Sequence, residues 1–360
     1  MPTPLRNARP AGALPRALAV LTLLCAVALV PRVAAAAKFA GAFMERGGGA
    51  RALALGGAFT AVADDPSTTF WNPAGLSLVG ARRVLLMHEA SFGGLVKRDF
   101  AAYAQPVSWS LLGGEEAGFG VSAIRLGVDD IPFTSHLFSQ LDLDHDGVVS
   151  DAEAQRLFLP ELQNQIRFKS DQEWAFLVSY GERRGDWRFG GSLKFVRQSV
   201  GGYTSTGLGF DAAALRPGIW RRLDFGLKLQ DITTTYLSWS TGKNEIIAPA
   251  VVPGLAWREP LPRWDAGLLV AASLETRFEN RGAADQLHTG ALSANLHLGV
   301  ELALRERVFL RGGFDSGFGS GNLTAGAGLR LDPLTVDYAY AGDLLDIDEV
   351  THRISLTARF

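Results

Sequence analysis

From Ala294 to Arg305 every second residue is apolar: Ala294, Leu296, Leu298, Val300, Leu302 and Leu304 alternate with Asn295, His297, Gly299, Glu301, Ala303 and Arg305. A period of two puts one set on each face of an extended strand, so this pattern excludes a helix with a single buried stripe. The same alternation recurs twice more. Between Trp187 and Gln198, the side chains of Trp187, Phe189, Leu193 and Phe195 share one face and Arg188, Ser192, Lys194 and Gln198 the other. Between Leu223 and Gln230, Leu223, Phe225, Leu227 and Leu229 alternate with Asp224, Gly226, Lys228 and Gln230.

Both a soluble β-sandwich and a membrane barrel alternate in this way, and loop lengths separate them. Strands are expected near 81–91, 98–110, 116–127, 170–182, 186–199, 204–215, 220–230, 246–258, 264–277, 291–304, 307–315, 321–331, 333–341 and 350–360. Most even-numbered connections are tight, as at Gly113–Glu115, Arg183–Gly185 and Arg216–Gly218, whereas Val128–Lys169, Asp231–Glu245 and Phe278–Gly290 are long. Sorted short turns and long loops predict an all-β fold, a transmembrane antiparallel β-barrel of about 14 strands over 81–360, with the short turns facing the periplasm.

No stretch after the N-terminal region is apolar and long enough for a membrane helix. Residues 1–37 read as a secretory signal peptide: Arg6, Arg9 and Arg16 precede an apolar run from Ala17 to Val30, and the small Ala35 and Ala37 predict cleavage before Lys38. The one cysteine, Cys25, lies within it, so no disulfide is expected in the exported chain. A formal net charge of −2 gives no basic surface for nucleic acid.

Ahead of the first strand stand two motifs, Gly56-Gly57-Ala58-Phe59-Thr60-Ala61-Val62-Ala63-Asp64-Asp65 and Trp71-Asn72-Pro73-Ala74-Gly75-Leu76. With Leu237–Gly242 and the closing His352–Phe360 stretch, they resemble the FadL-like outer-membrane proteins, and most closely the PorV/PorQ branch. That resemblance implies that residues 38–80 form a plug inside the barrel, with the turn Asn72, Pro73, Ala74 and Gly75 part of it. Taken alone, those four residues are also an ordinary turn. The closing strand alternates and ends on Phe360, which resembles the signal read by the barrel-assembly machinery. The implied setting is the bacterial outer membrane, with lipid around the wall. The implied function is passive uptake or binding of hydrophobic small molecules, with Phe92, Leu237 and Trp239 as lining. The alternative is a component of a type IX secretion system that docks secreted cargo proteins at the cell surface.

A helical insertion at 131–165, in an extracellular loop, carries a second signal. Asp142, Asp144, Asp146, Val148, Ser150 and Glu153 stand at positions one, three, five, seven, nine and twelve of an EF-hand-like loop, with Gly147 at the sharp turn. The expectation is a structural Ca2+ site flanked by helices at His136–Leu141 and Ala152–Gln163, with Val149 packed inward; the other reading is a solvated acidic loop. The histidines His88, His136, His145, His288, His297 and His352 lack metalloenzyme spacing, and no enzyme is expected. Only His297, at a lumen-facing position, could join a Ser–His pair.

Overall fold

The computed structural model describes residues 40–316, 322–343 and 346–360. The expected signal peptide and its cleavage site lie outside the described residues. In chain order the strands are β1 (Arg83–Ser91), β2 (Val96–Val107), β3 (Ala117–Phe133), β4 (Arg167–Arg184), β5 (Trp187–Val200), β6 (Tyr203–Trp220), β7 (Leu223–Gln230), β8 (Thr235–Trp239) and β9 (Asn244–Ile247). There follow β10 (Ala250–Leu261), β11 (Ala266–Arg277), β12 (Leu287–Thr289), β13 (Leu292–Leu304), β14 (Val308–Asp315), β15 (Asn322–Leu331), β16 (Leu334–Asp343) and β17 (Asp346–Arg359). The short β8, β9 and β12 belong to loops on the long-loop side. The other fourteen form one antiparallel ring, β7 pairing with β10 and β11 with β13, and the ring closes where β1 meets β17 in the register Val84↔Ala358 and Leu86↔Leu356. At this seam the Phe360 amide donates to the Arg82 carbonyl at 3.0 Å.

The alternation resolves into the two faces of this wall. Phe189, Leu193 and Phe195 are exposed on β5, while Ser192, Lys194 and Gln198 are buried. Exposed Leu86, Phe176, Val178, Leu208, Phe210, Val270, Val300, Leu310, Val336 and Leu356 continue the outer face around the ring. An apolar outside around a polar inside, with every wall strand paired on both sides, is the arrangement of an outer-membrane β-barrel.

The wall departs from expectation in four places. Strands β3 and β4 extend to Phe133 and from Arg167, pairing beyond a bulge between Val128 and Ile131, so they carry the insertion farther outward. The strand expected at 246–258 is split at Ala248–Pro249, because the outer hairpin β8–β9 leaves the ladder and pairs on the upper part of β6 instead. The connection between β5 and β6 is only Gly201-Gly202, both at positive φ, although it lies on the long-loop side. The turn expected at Gly113–Glu115 is a larger excursion over 108–116. It folds back on Glu182, whose carboxylate accepts from the Leu111, Leu112 and Gly114 amides at 3.0–3.1 Å and from the Ser110 hydroxyl at 2.9 Å. Glu182 shares the outward parity of Phe176, Val178 and Tyr180, yet it is fully buried beneath this turn.

Residues 40–80 lie inside the ring. A short helix, Ala50–Ala54, packs against β14 to β17, and the Thr68–Trp71 helix with the following 3-10 turn, Pro73–Leu78, packs against β3 to β6. The backbones approach so closely that glycines are required on the wall. A β-carbon on Gly190 would lie 2.3 Å from the Ala74 amide nitrogen, one on Gly118 2.1 Å from the Leu76 carbonyl, and one on Gly226 2.3 Å from that of Thr60. The opposite wall meets the segment in the same way at Gly299 and Gly313, which face Leu55 and Gly56. Because backbone atoms cannot rotate aside, Gly190→Val should cost about 1–3 kcal/mol. Gly267→Val, where the added atoms meet open space, should stay within about 0.5 kcal/mol. Urea midpoints of the refolded barrel measure both.

Candidate functional site: the filled lumen

Asn72 organises the inner segment. Fully buried, it caps the Pro73–Leu78 turn by accepting from the Ala74 amide at 3.1 Å, and its amide nitrogen donates to the Thr60 carbonyl at 2.7 Å and the Ala214 carbonyl of β6 at 3.3 Å. A single side chain thus joins the two halves of the segment to the wall. Pro73 begins the 3-10 turn, where its missing amide hydrogen costs nothing. Gly75 has no room for a β-carbon, which would meet the Ala63 carbonyl at 2.0 Å.

The charges that hold the segment came from positions that sequence reading did not single out. Arg51 makes a bidentate pair with Glu301 of β13, at 2.8 and 3.0 Å, and reaches Asp64 at 2.5 Å. Glu301 also accepts from Arg311 of β14 at 2.6 Å, and Arg311 passes on to Asp337 of β16 at 2.7 Å. On the far side Arg98 of β2 donates to the Phe43 and Gly47 carbonyls at 3.1 and 2.8 Å. Glu45 meets Arg281 at 2.9 Å. Within the wall, Lys194 lies between Asp211 at 3.2 Å and Asp231 at 2.7 Å, and Arg353 bonds Glu89 at 2.7 Å. Buried charge survives only when paired, and these pairs span different elements. The available signal was a charged residue at a lumen-facing position of an alternating strand, as at Glu301 and Lys194.

Toward the long-loop side these pairs adjoin an apolar cluster. Phe43, Met44, Phe70, Phe100, Ile124, Leu237 and Ile247 form one buried cluster. The outer hairpin contributes Leu237 and Ile247, so it lies over the start of the inner segment. Of the expected lining residues, Leu237 belongs here, Trp239 is half-buried at the end of β8, and Phe92 is exposed and takes no part. Deeper in, Phe70, Trp71, Lys228, Glu275 and His297 border a cavity of only about 40 Å³. A second cavity of about 400 Å³ opens between the Ser77–Gly80 stretch and Pro106, Val107, Glu116 and Arg188, on the short-turn side. His297 faces the Gly56 carbonyl at 2.8 Å, Asp315 at 3.3 Å and Glu275 at 3.7 Å; it braces wall against inner segment.

The acidic loop lies apart from the lumen, between β3 and β4. Carboxylate oxygens of Asp142, Asp144 and Asp146 lie within 4.8 Å of one another. Ser150 caps the Asp151–Ala154 helix in a capping box with Glu153. Glu153 accepts from the Leu143 amide at 2.7 Å and from the Ser150 amide and hydroxyl at 2.9 and 2.8 Å, and these bonds hold its carboxyl down at about 2. Val149 packs inward against Leu137, Leu141 and Leu162, while the Val148 side chain is exposed. The expected second helix is broken: Asp151–Ala154 and Gln155–Phe158 are separated from Pro160–Gln163 at Leu159, which Pro160 holds extended at ψ 135°. Phe158, at the end of Gln155–Phe158, is exposed.

No protein-family model and no curated protein matches the chain. Among solved structures it is similar to the toluene transporter TbuX of Ralstonia pickettii, with TM-score 0.56 and 14% identity over 88% of this chain and 99% of that one. It is also similar to the toluene transporter TodX of Pseudomonas putida, with TM-score 0.54 and 12% identity over 87% and 98% of the two chains. At such identities the likeness is one of fold, a closed antiparallel barrel of the same extent.

Arg51→Met leaves the buried Glu301 and Asp64 short of a cation, which costs about 3 kcal/mol for a pair of this kind. The wall keeps its own Arg311–Glu301 bond, so the barrel should still migrate as folded, while residues 40–80 become protease-sensitive and single-channel conductance in a planar bilayer rises.

Proposed function

We propose that this barrel binds hydrophobic small molecules and passes them passively across the outer membrane. The observation that carries the reading is the apolar cluster at the outer hairpin, where Phe43, Phe100, Leu237 and Ile247 pack against one another and would line an apolar path if they parted. An apolar solute gains about 25 cal/mol for each Å² it buries there, whereas a hydrated solute gains nothing. The fold shared with two toluene transporters supports the same reading, and so does the FadL-like resemblance of the inner segment. A cavity of about 40 Å³ holds little more than one water, whose share of liquid is about 30 Å³. Among the described residues the lumen around Phe70, Trp71 and His297 is therefore filled, with no room there for a hydrated solute. Passage requires residues 40–80 to shift toward the roomier side at Ser77–Gly80. This mechanism needs no catalytic group: ligand binding, exclusion of water and displacement of the plug suffice.

Membership of the PorV/PorQ branch would instead imply docking of secreted cargo, and its support is the Gly56–Asp65 and Trp71–Leu76 motifs. One experiment separates the two roles. In a deletion strain, uptake of toluene and of a long-chain fatty acid should each be measured beside the surface display of secreted proteins. Restoring the wild-type gene should raise uptake of at least one of the two solutes, and Leu237→Asp should lower it about tenfold, equivalent to about 1.4 kcal/mol of lost binding. Unchanged uptake of both solutes, together with loss of a surface protein, would replace transport with docking.

A further inference from the structure

We propose that the 142–153 loop is a calcium site whose occupation holds together the helical insertion on the outer rim. The first observation is the convergence of Asp142, Asp144 and Asp146 within 4.8 Å, in a loop whose fourth carboxylate, Glu153, closes on Leu143 and Ser150. The second is independent of that crowding. Asp142 is 7% exposed, and its Oδ1 has no hydrogen-bond partner, while its Oδ2 accepts from the Gly147 amide at 3.2 Å. A buried carboxylate oxygen left bare costs free energy unless a cation meets it.

Among the described residues the insertion's other supports are small. Its core consists of three buried leucines, Leu137, Leu141 and Leu162, with Val149, Leu157 and Ile166 partly covered. A core of that size is too small to order a segment running from Thr134 to Ile166 without a staple, and the exported chain has no disulfide to provide one. The remaining ties are polar: Arg156 donates to the Gln140 carbonyl at 2.7 Å, and the His136 ring bonds the Gln165 carbonyl at 2.9 Å. A hard divalent cation bound by oxygens from both ends of the 142–153 loop would join the Phe138–Leu141 and Asp151–Ala154 helices directly. Several carboxylates in a pliable loop favour Ca2+, which accepts irregular coordination, over Mg2+, which demands a near-ideal octahedron.

The test uses the full-length barrel in detergent, and it is independent of whether the barrel transports anything. Calorimetric titration with CaCl2 should give one site per chain with Kd of about 10⁻³ M or tighter, the range of extracellular calcium modules. Asp144→Asn, an exposed and structurally mild change, and Glu153→Gln should each weaken it at least about tenfold, or 1.4 kcal/mol. In parallel, trypsin cleavage after Arg156 should slow at least about tenfold in calcium relative to EGTA for wild type, and should be equal in both for Glu153→Gln. Absence of heat at millimolar calcium, unchanged affinity in Asp144→Asn, or equal protection by the same concentration of MgCl2 would each overturn the assignment. Migration of each variant as a folded barrel on unheated gels shows that the wall is intact.

Discussion

Everything in this molecule depends on the closure of the wall by backbone hydrogen bonds. In the hydrocarbon of a bilayer an unpaired amide costs several kcal/mol, so a sheet cannot end there. The β1–β17 ladder removes the last two edges, and the polar inner face then becomes tolerable because lipid never reaches it. Once the wall is closed, a ring this wide cannot be filled by its own side chains, so the interior needs contents. Residues 40–80 supply them, and the chain's glycines make that fit possible: Gly118, Gly190 and Gly226 let one backbone rest on another where any side chain would hold them apart.

The contents are held by two kinds of force. Near the long loops the contacts are apolar and adjustable, with Phe43, Met44 and Leu237 meeting at the mouth. Fixed charge acts at both depths, as Arg98 holds the Phe43 and Gly47 carbonyls near the mouth and Arg51 joins Glu301 and Asp64 farther in. Such pairs contribute less to net stability than their geometry suggests, because desolvation offsets attraction. What they provide is registration: Arg51 has its full set of partners in only one placement of the segment. Displacing it means breaking several charged contacts together, so the segment moves as a unit or stays.

The barrel was legible in the sequence because its physics is periodic. Each strand repeats the same demand, lipid outside and polar inside, and the loops sort by side, so many weak signals agree. The boundaries failed where a local contact overrode the repeat. The 108–116 turn is long because its amides converge on Glu182, and the strand after residue 246 breaks because the hairpin pairs elsewhere. Asn72, Pro73, Ala74 and Gly75 were legible only through resemblance. Their spacing says turn, but two of their partners, Ala214 and Gly190, are far away in the chain. The pairing of Arg51, Glu301 and Arg311 was hidden for the same reason: the alternation shows that Glu301 faces the lumen, but not which distant charge it meets there. The acidic loop was the opposite case, since all its chemistry lies within twelve consecutive positions; what could not be read there was the break at Leu159, a matter of a single proline.

The seam at Arg82 and Phe360 has a consequence for assembly. Residues 40–80 precede the first wall strand in the chain, yet they are anchored from both sides of the ring, by Arg98 on β2 and Ala214 on β6 as well as Glu301 on β13. Until both sides are in place, Arg51 has no Glu301 and the glycine cradles have only one side. The segment has its full set of contacts only when both halves of the ring surround it, which is also the arrangement that brings β17 to β1. Sealing the wall and seating its contents are then one cooperative transition, and a defect in either is paid for by the other.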